Sequence, residues 1–138
     1  MPKTINEIVR KKQKQKITVV TSYDYTMATL CDQVDILLVG DSAGMVMLGY
    51  ENTSPVTMDQ MCMFTEGVSN GRKNALIVAD LPNKSYENES DAVTNSQRLI
   101  NAGADAVKLE GRLPEIIKAI VKAGIPVLGH LGLLPQTA

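Results

Sequence analysis

Ala75-Leu76-Ile77-Val78-Ala79-Asp80-Leu81-Pro82 is a short apolar run that stops on a carboxylate and a proline. It reads as a strand over 75–79 followed at once by a turn. Two other stretches repeat the design: Leu37-Leu38-Val39-Gly40-Asp41 before it, and Ala106-Val107-Lys108-Leu109-Glu110 after it. In a parallel α/β protein the carboxyl ends of the strands are where chemistry is done. Asp41, Asp80 and Glu110 therefore stand as one candidate site. Carboxylate oxygens are the ligands magnesium prefers, and three acids from three strands can converge on a hard cation. The set lacks thiolates and offers at most one imidazole, which disfavours zinc or iron.

The remaining chain supplies the helices and outer strands that such a sheet requires. Ile17-Thr18-Val19-Val20-Thr21 is a β-branched run broken at Ser22-Tyr23-Asp24-Tyr25, and 26–33 follows as a short helix. Gly40-Asp41-Ser42-Ala43-Gly44 predicts a turn whose small residues let backbone N–H groups approach a ligand, and a long loop is expected after it. A helix over 57–70 is expected, with Thr57 as N-cap and Met58, Met61, Cys62, Thr65 and Val68 on its apolar face. Further helices fall where Ala92, Val93, Ser96, Leu99 and Ile100 share a face and over 114–123, where Pro114 suits the first turn. Gly103 and Gly124 close helices just before the strands at 106–110 and 126–129. The strict alternation of strand then helix predicts a parallel sheet with helical crossovers.

Length limits how far that pattern can run. The chain has 138 residues, whereas a closed (β/α)8 TIM barrel takes about 250. The expectation is an incomplete barrel of about five βα units over 17–138, preceded by a helical lead-in over 1–16. That lead-in carries Ile5, Ile8 and Val9 at helical spacing and then Arg10, Lys11, Lys12, Lys14 and Lys16. The cations complement the helix dipole, and no interleaved aromatic residue offers base stacking. It is read as a solvated helix end.

Composition excludes several classes of partner. Net charge is −1, so no overall field favours nucleic acid or an anionic membrane. Cys31 and Cys62 are the two cysteines and lack paired-ligand spacing, which argues against a disulfide framework or zinc site and fits a reducing, cytoplasmic compartment. No apolar stretch approaches the about 18 residues of a membrane span, and no signal peptide is expected. Lys108 lies two residues before Glu110, so both point to one face of the strand. It either forms an ion pair with Asp80 or Glu110 or holds a substrate carboxylate. His130, the single histidine, ends the fifth strand and is a candidate site-lining residue.

Six ordered segments then carry a resemblance. Thr21-Ser22-Tyr23-Asp24-Tyr25, Leu38-Val39-Gly40-Asp41-Ser42-Ala43-Gly44-Met45, Ser54-Pro55-Val56-Thr57, Ala79-Asp80-Leu81-Pro82, Val107-Lys108-Leu109-Glu110-Gly111 and Gly129-His130-Leu131-Gly132-Leu133-Leu134-Pro135-Gln136 resemble the ketopantoate hydroxymethyltransferase family. The resemblance implies a (β/α)8 barrel transferase that moves a one-carbon unit from 5,10-methylenetetrahydrofolate to 3-methyl-2-oxobutanoate, a small 2-oxo acid, in pantothenate biosynthesis. It implies magnesium held by Asp41, Asp80 and Glu110, and oxo-acid contacts from Asp41, Ser42, Asp80 and Lys108. The metal would chelate the keto group and stabilise an enolate. The family's full-length members are expected to be homo-oligomers. Its proton-abstracting glutamate is expected beyond residue 138, so no catalytic base is assigned here.

The sequence also departs from the family. Phe64 stands where relatives often carry His, Asn83-Lys84 replaces an apolar pair, and the helix over 26–34 looks shortened. Two other readings keep the same residues: a related magnesium-dependent lyase or ligase of 2-oxo acids, and a non-catalytic fragment that associates with another chain.

Overall fold

A computed structural model describes residues 1–138. Five strands, β1 (Val19–Thr21), β2 (Ile36–Val39), β3 (Leu76–Asp80), β4 (Ala106–Glu110) and β5 (Val127–His130), form one sheet in the order β1-β2-β3-β4-β5. Every pairing is parallel. Strand order that follows chain order without reversal is the winding of a (β/α) barrel, whereas a doubly wound sheet reverses at a switch point. The fold is that of a partial barrel. β1 and β5 are its edges.

Six helices accompany the strands: α1 (Ile5–Lys11), α2 (Tyr25–Cys31), α3 (Ala43–Leu48), α4 (Met58–Gly71), α5 (Glu89–Asn101) and α6 (Pro114–Lys122). None is long and apolar enough to cross a membrane. Local chemistry sets their starts. Thr57 and Gln60 form a reciprocal capping box at α4, and Asp24 and Asn88 cap α2 and α5 with side-chain oxygens. Most element ends fall within one or two residues of the sequence reading, and two differences are larger. α1 ends at Lys11, not Lys16, because Lys12 leaves helical geometry and Gln13 takes a φ of 63°. Extending the helix would also stack the like charges of Arg10 and Lys14 on one face, a turn apart. α3 replaces the first part of the expected long loop, and Gly49 closes it in the left-handed conformation.

The two-residue period of the strands sorts the core onto two faces. Leu37, Val39, Ile77, Ala79, Val107 and Leu109 face the helices and pack with Met61, Phe64, Val68, Leu99 and Ile120 in the larger cluster. Ile36, Leu76, Val78 and Ala106 lie on the other face, where Ile5 and Ile8 of α1 cover them. The apolar face of α4 is turned slightly from the sequence expectation: Phe64 and Gly71 join Met61, Thr65 and Val68 as buried residues, and Met58 and Cys62 are half-buried. Phe64 thus serves packing. Strand parity places Asp80, Lys108, Glu110 and His130 on the α1-covered face, at its carboxyl end.

Acids at the amino ends of the strands tie the frame together. Asp32 accepts backbone N–H bonds from Lys73, Asn74 and Ala75, joining the end of α2 to the start of β3. Asp35 accepts from Thr18 N–H and from Lys11 at 2.6 Å, so one member of the basic lead-in is an ion-pair partner of the sheet. Asp105 receives Ile77 N–H and Arg72.

Candidate active site

The carboxyl ends of the strands carry acids in a different electrostatic condition. At the amino ends, burial acts to push Asp32 up, yet the N–H bonds from Asn74, Ala75 and Lys73 outweigh it and hold the carboxyl below its ordinary value. The Lys11 bond and Thr18 N–H hold Asp35 down at about 2. At the carboxyl ends the sign reverses. Burial, and then the neighbouring charge of Asp80, push Asp41 up. Burial also pushes Asp80 up, even though Lys108 opposes it. Carboxyls that resist ionisation in a shared recess make this end of the sheet the candidate site.

The geometry shows how the chain builds this recess. Asp41 follows β2, and its backbone N–H donates to Asp80 Oδ2 at 3.2 Å. Gly40 lies close beside it: a Cβ there would stand 3.0 Å from Ser42 Oγ, so the hydroxyl would have to give way by a few tenths of an ångström. Lys108 Nζ donates to Asp80 Oδ1 at 2.9 Å across the β3–β4 register pair. Of the two roles open to Lys108, the structure shows the ion pair with Asp80. Ser42 Oγ lies 2.6 Å from Tyr23 Oη, which fixes the hydroxyl that the resemblance assigns to the substrate. Glu110 Oε1 is 3.6 Å from His130 Nδ1, a buried nitrogen with no hydrogen-bond partner.

The three acids share this recess without enclosing a single point. No group of three His, Cys, Asp or Glu side chains stands close enough to cage an ion. Asp41 and Asp80 form the tight pair, and Glu110 is joined to Asp41 through Gln136. Gln136 donates its backbone N–H to Glu110 Oε2 at 3.1 Å and its side-chain Nε2–H to Asp41 Oδ2 at 2.7 Å. Magnesium keeps several waters and is bound by one or two carboxylates rather than by an all-protein cage. Three buried carboxylates against one lysine, all hard oxygen donors, fit such an ion.

Tyr23, Tyr86 and Gln136 are site residues to which sequence reasoning gave no role. Tyr86 donates to Gln136 Oε1, and burial pushes its phenol up to about 12, so it stays protonated as a donor. The lone aromatic in the polar stretch 83–90 was the available signal. An open cleft of about 320 Å³ adjoins the recess, lined by Asn83, Lys84, Tyr86, Glu110, Leu113 and Leu134 among others. The Asn83-Lys84 departure therefore lies on a wall of the site.

A singly wound parallel sheet with a carboxylate recess at its carboxyl ends defines a protein of the (β/α)-barrel class. Solved structures agree on the fold. The chain is similar to phosphonopyruvate hydrolase, crystallised with oxalate and Mg++, with a TM-score of 0.74 at 15% identity over 92% of this chain and 52% of that one. It is also similar to 2,3-dimethylmalate lyase of the PEP mutase/isocitrate lyase superfamily, with a TM-score of 0.63 at 17% identity over 94% and 51%.

Sequence comparison narrows the class. Residues 2–138 match the family model for ketopantoate hydroxymethyltransferase, and the chain belongs to that family. A 3-methyl-2-oxobutanoate hydroxymethyltransferase of Nitrosopumilus maritimus is 65% identical over 99% of this chain and 51% of its own length. One from Cenarchaeum symbiosum is 60% identical over 92% and 50%. The chain spans about half the length of these relatives.

Proposed function

We propose that this chain carries the metal- and oxo-acid-binding half of a hydroxymethyltransferase acting on 3-methyl-2-oxobutanoate. The observation that carries this reading is the meeting of Asp41, Asp80 and Glu110 at the carboxyl ends of β2, β3 and β4, where Asp41 N–H bonds Asp80, Lys108 pairs with Asp80 and Gln136 links Asp41 to Glu110. Asp41 and Asp80, with Glu110, would hold Mg2+, which supplies polarisation of the keto oxygen.

The chain's own groups do the rest of the binding. Lys108, held against Asp80, presents a cation to the substrate carboxylate. Ser42 adds its hydroxyl, oriented by Tyr23. His130 lines the wall beside Glu110. The one-carbon donor is 5,10-methylenetetrahydrofolate in this reading. The glutamate that takes the C3 proton is assigned to the part of the relatives' length that this chain does not span.

Calorimetric titration of the 138-residue chain with 3-methyl-2-oxobutanoate tests the proposal. Binding is expected with Mg2+ present, lost with chelator and lost in Asp80→Asn, with no 2-dehydropantoate formed when the folate is added. Equal binding with and without Mg2+, or none in either case, would overturn the site assignment. Sustained product formation would overturn the placement of the base.

A further inference from the structure

Gln136 is only 5% exposed, and every polar atom of its side chain is engaged. Its Nε2 donates to Asp41 Oδ2 at 2.7 Å and to the Leu81 carbonyl at 2.9 Å, and its Oε1 accepts from Tyr86. The amide can sit only one way round. The Leu81 carbonyl can only accept, so the NH2 group must face it and Asp41, and Oε1 takes the Tyr86 proton.

This arrangement fixes two carboxylates from one residue. Asp41 and Glu110 each give a single oxygen to Gln136, and neither Asp41 Oδ1 nor Glu110 Oε1 takes a hydrogen bond from another residue. Asp80, by contrast, has both oxygens committed, to Lys108 and to Asp41 N–H. Gln136 thereby spans the ends of β2, β3 and β4 and leaves the free oxygens of the outer two acids for a ligand.

We propose that Gln136 is a positioning residue that orients Asp41 and Glu110 toward a hard divalent cation. The inference rests on the cation-binding reading of the site. It assigns to Gln136 the function that hydrogen-bond partners of metal ligands commonly serve, whose loss costs about 10- to 100-fold in metal affinity. A Gln that merely filled the core would alter stability and leave affinity alone.

Mn2+ titrated into the wild-type chain, Gln136→Met and Gln136→Asn, with free Mn2+ read by electron paramagnetic resonance, separates these roles. Methionine keeps the volume and removes the side-chain hydrogen bonds to Asp41, Leu81 and Tyr86 while the backbone N–H to Glu110 remains, and asparagine keeps the amide but shortens its reach. Both variants are expected to bind Mn2+ about 10- to 100-fold more weakly than wild type. In parallel, Mg2+ added to the 15N-labelled wild-type chain is expected to shift the Gln136 side-chain amide pair with the same midpoint as the Asp41 backbone amide. Unchanged affinity in a folded variant would overturn the positioning role and leave the cation site standing. A wild-type chain that binds no cation would overturn both. Should neither variant fold, the wild-type spectrum decides alone: a Gln136 amide unmoved at Mg2+ saturation refutes the proposal.

Discussion

Lys108→Met removes the single cation that the recess holds. Its ammonium is 2.9 Å from Asp80 Oδ1, with the two side chains 15% and 5% exposed. Removing one partner of a buried ion pair costs about 3–5 kcal/mol, because the other charge is left unpaired. Asp80 can limit that cost by taking a proton, at about 1.4 kcal/mol for each pH unit above its folded value. Its folded value already lies above the ordinary 3.8, so the folded state binds the proton more tightly than the unfolded chain. Stability from this group therefore falls as pH rises above the ordinary carboxylate range, and losing Lys108 extends the fall upward.

The cost should thus be smaller near pH 5 than near pH 8, where it should approach about 3 kcal/mol. For a chain of this length that corresponds to roughly 10 °C in Tm. Urea unfolding of the metal-free variants at both pH values measures it. Asp80→Asn combined with Lys108→Met should recover to within about 1 kcal/mol of wild type, because no unpaired charge remains and the new amide oxygen can still accept Asp41 N–H. A single variant that loses less than about 1 kcal/mol at pH 8, or a double variant as weak as the single one, would refute the buried-pair reasoning.

Two further substitutions test the frame around the site. Asp35→Asn should cost about 1–2 kcal/mol at neutral pH, since Lys11 and Lys3 are partly solvated, with the loss fading as pH falls from 3.8 toward about 2 where the wild-type carboxyl is itself protonated; urea midpoints at pH 7 and pH 2 check it, and a pH-independent difference would count against the ion pair. Gly71→Ala should destabilise by about 1–3 kcal/mol although alanine favours a helix by about 1. The new Cβ would stand 2.4 Å from the Tyr25 carbonyl oxygen and 2.9 Å from Ala28 Cβ. A raised Tm would show that α2 and α4 can part.

What the sequence made legible follows from the range of the forces involved. The five strands and the acids at 41, 80 and 110 are local patterns: an apolar run, then a polar residue, repeated at each strand end. Capping at Thr57 and the first-turn Pro114 are likewise local. α3 was hidden because its six residues include Gly44 and β-branched Val46, and its stability comes from Gly44 fitting against Val56 and Tyr50. α1 was overextended because its basic run continues past the point where the backbone turns. Gln136 was present in a recognisable segment, but its role depends on Asp41, which lies 95 residues away in the chain. Contacts of that range leave no periodic trace. Lys108 is intermediate: its facing was readable from strand parity, its choice of Asp80 over Glu110 was not.

Whether the strand-end carboxylates of β2, β3 and β4 form one cation site is tested most directly by anomalous diffraction from crystals of the 138-residue chain soaked in Mn2+. One dominant peak is expected in the recess, with oxygens of Asp41 and of at least one of Asp80 and Glu110 about 2.0–2.3 Å away and water filling the remaining positions. A recess without a peak at Mn2+ concentrations that occupy other acidic positions, such as Glu7 or Asp59, would contradict it.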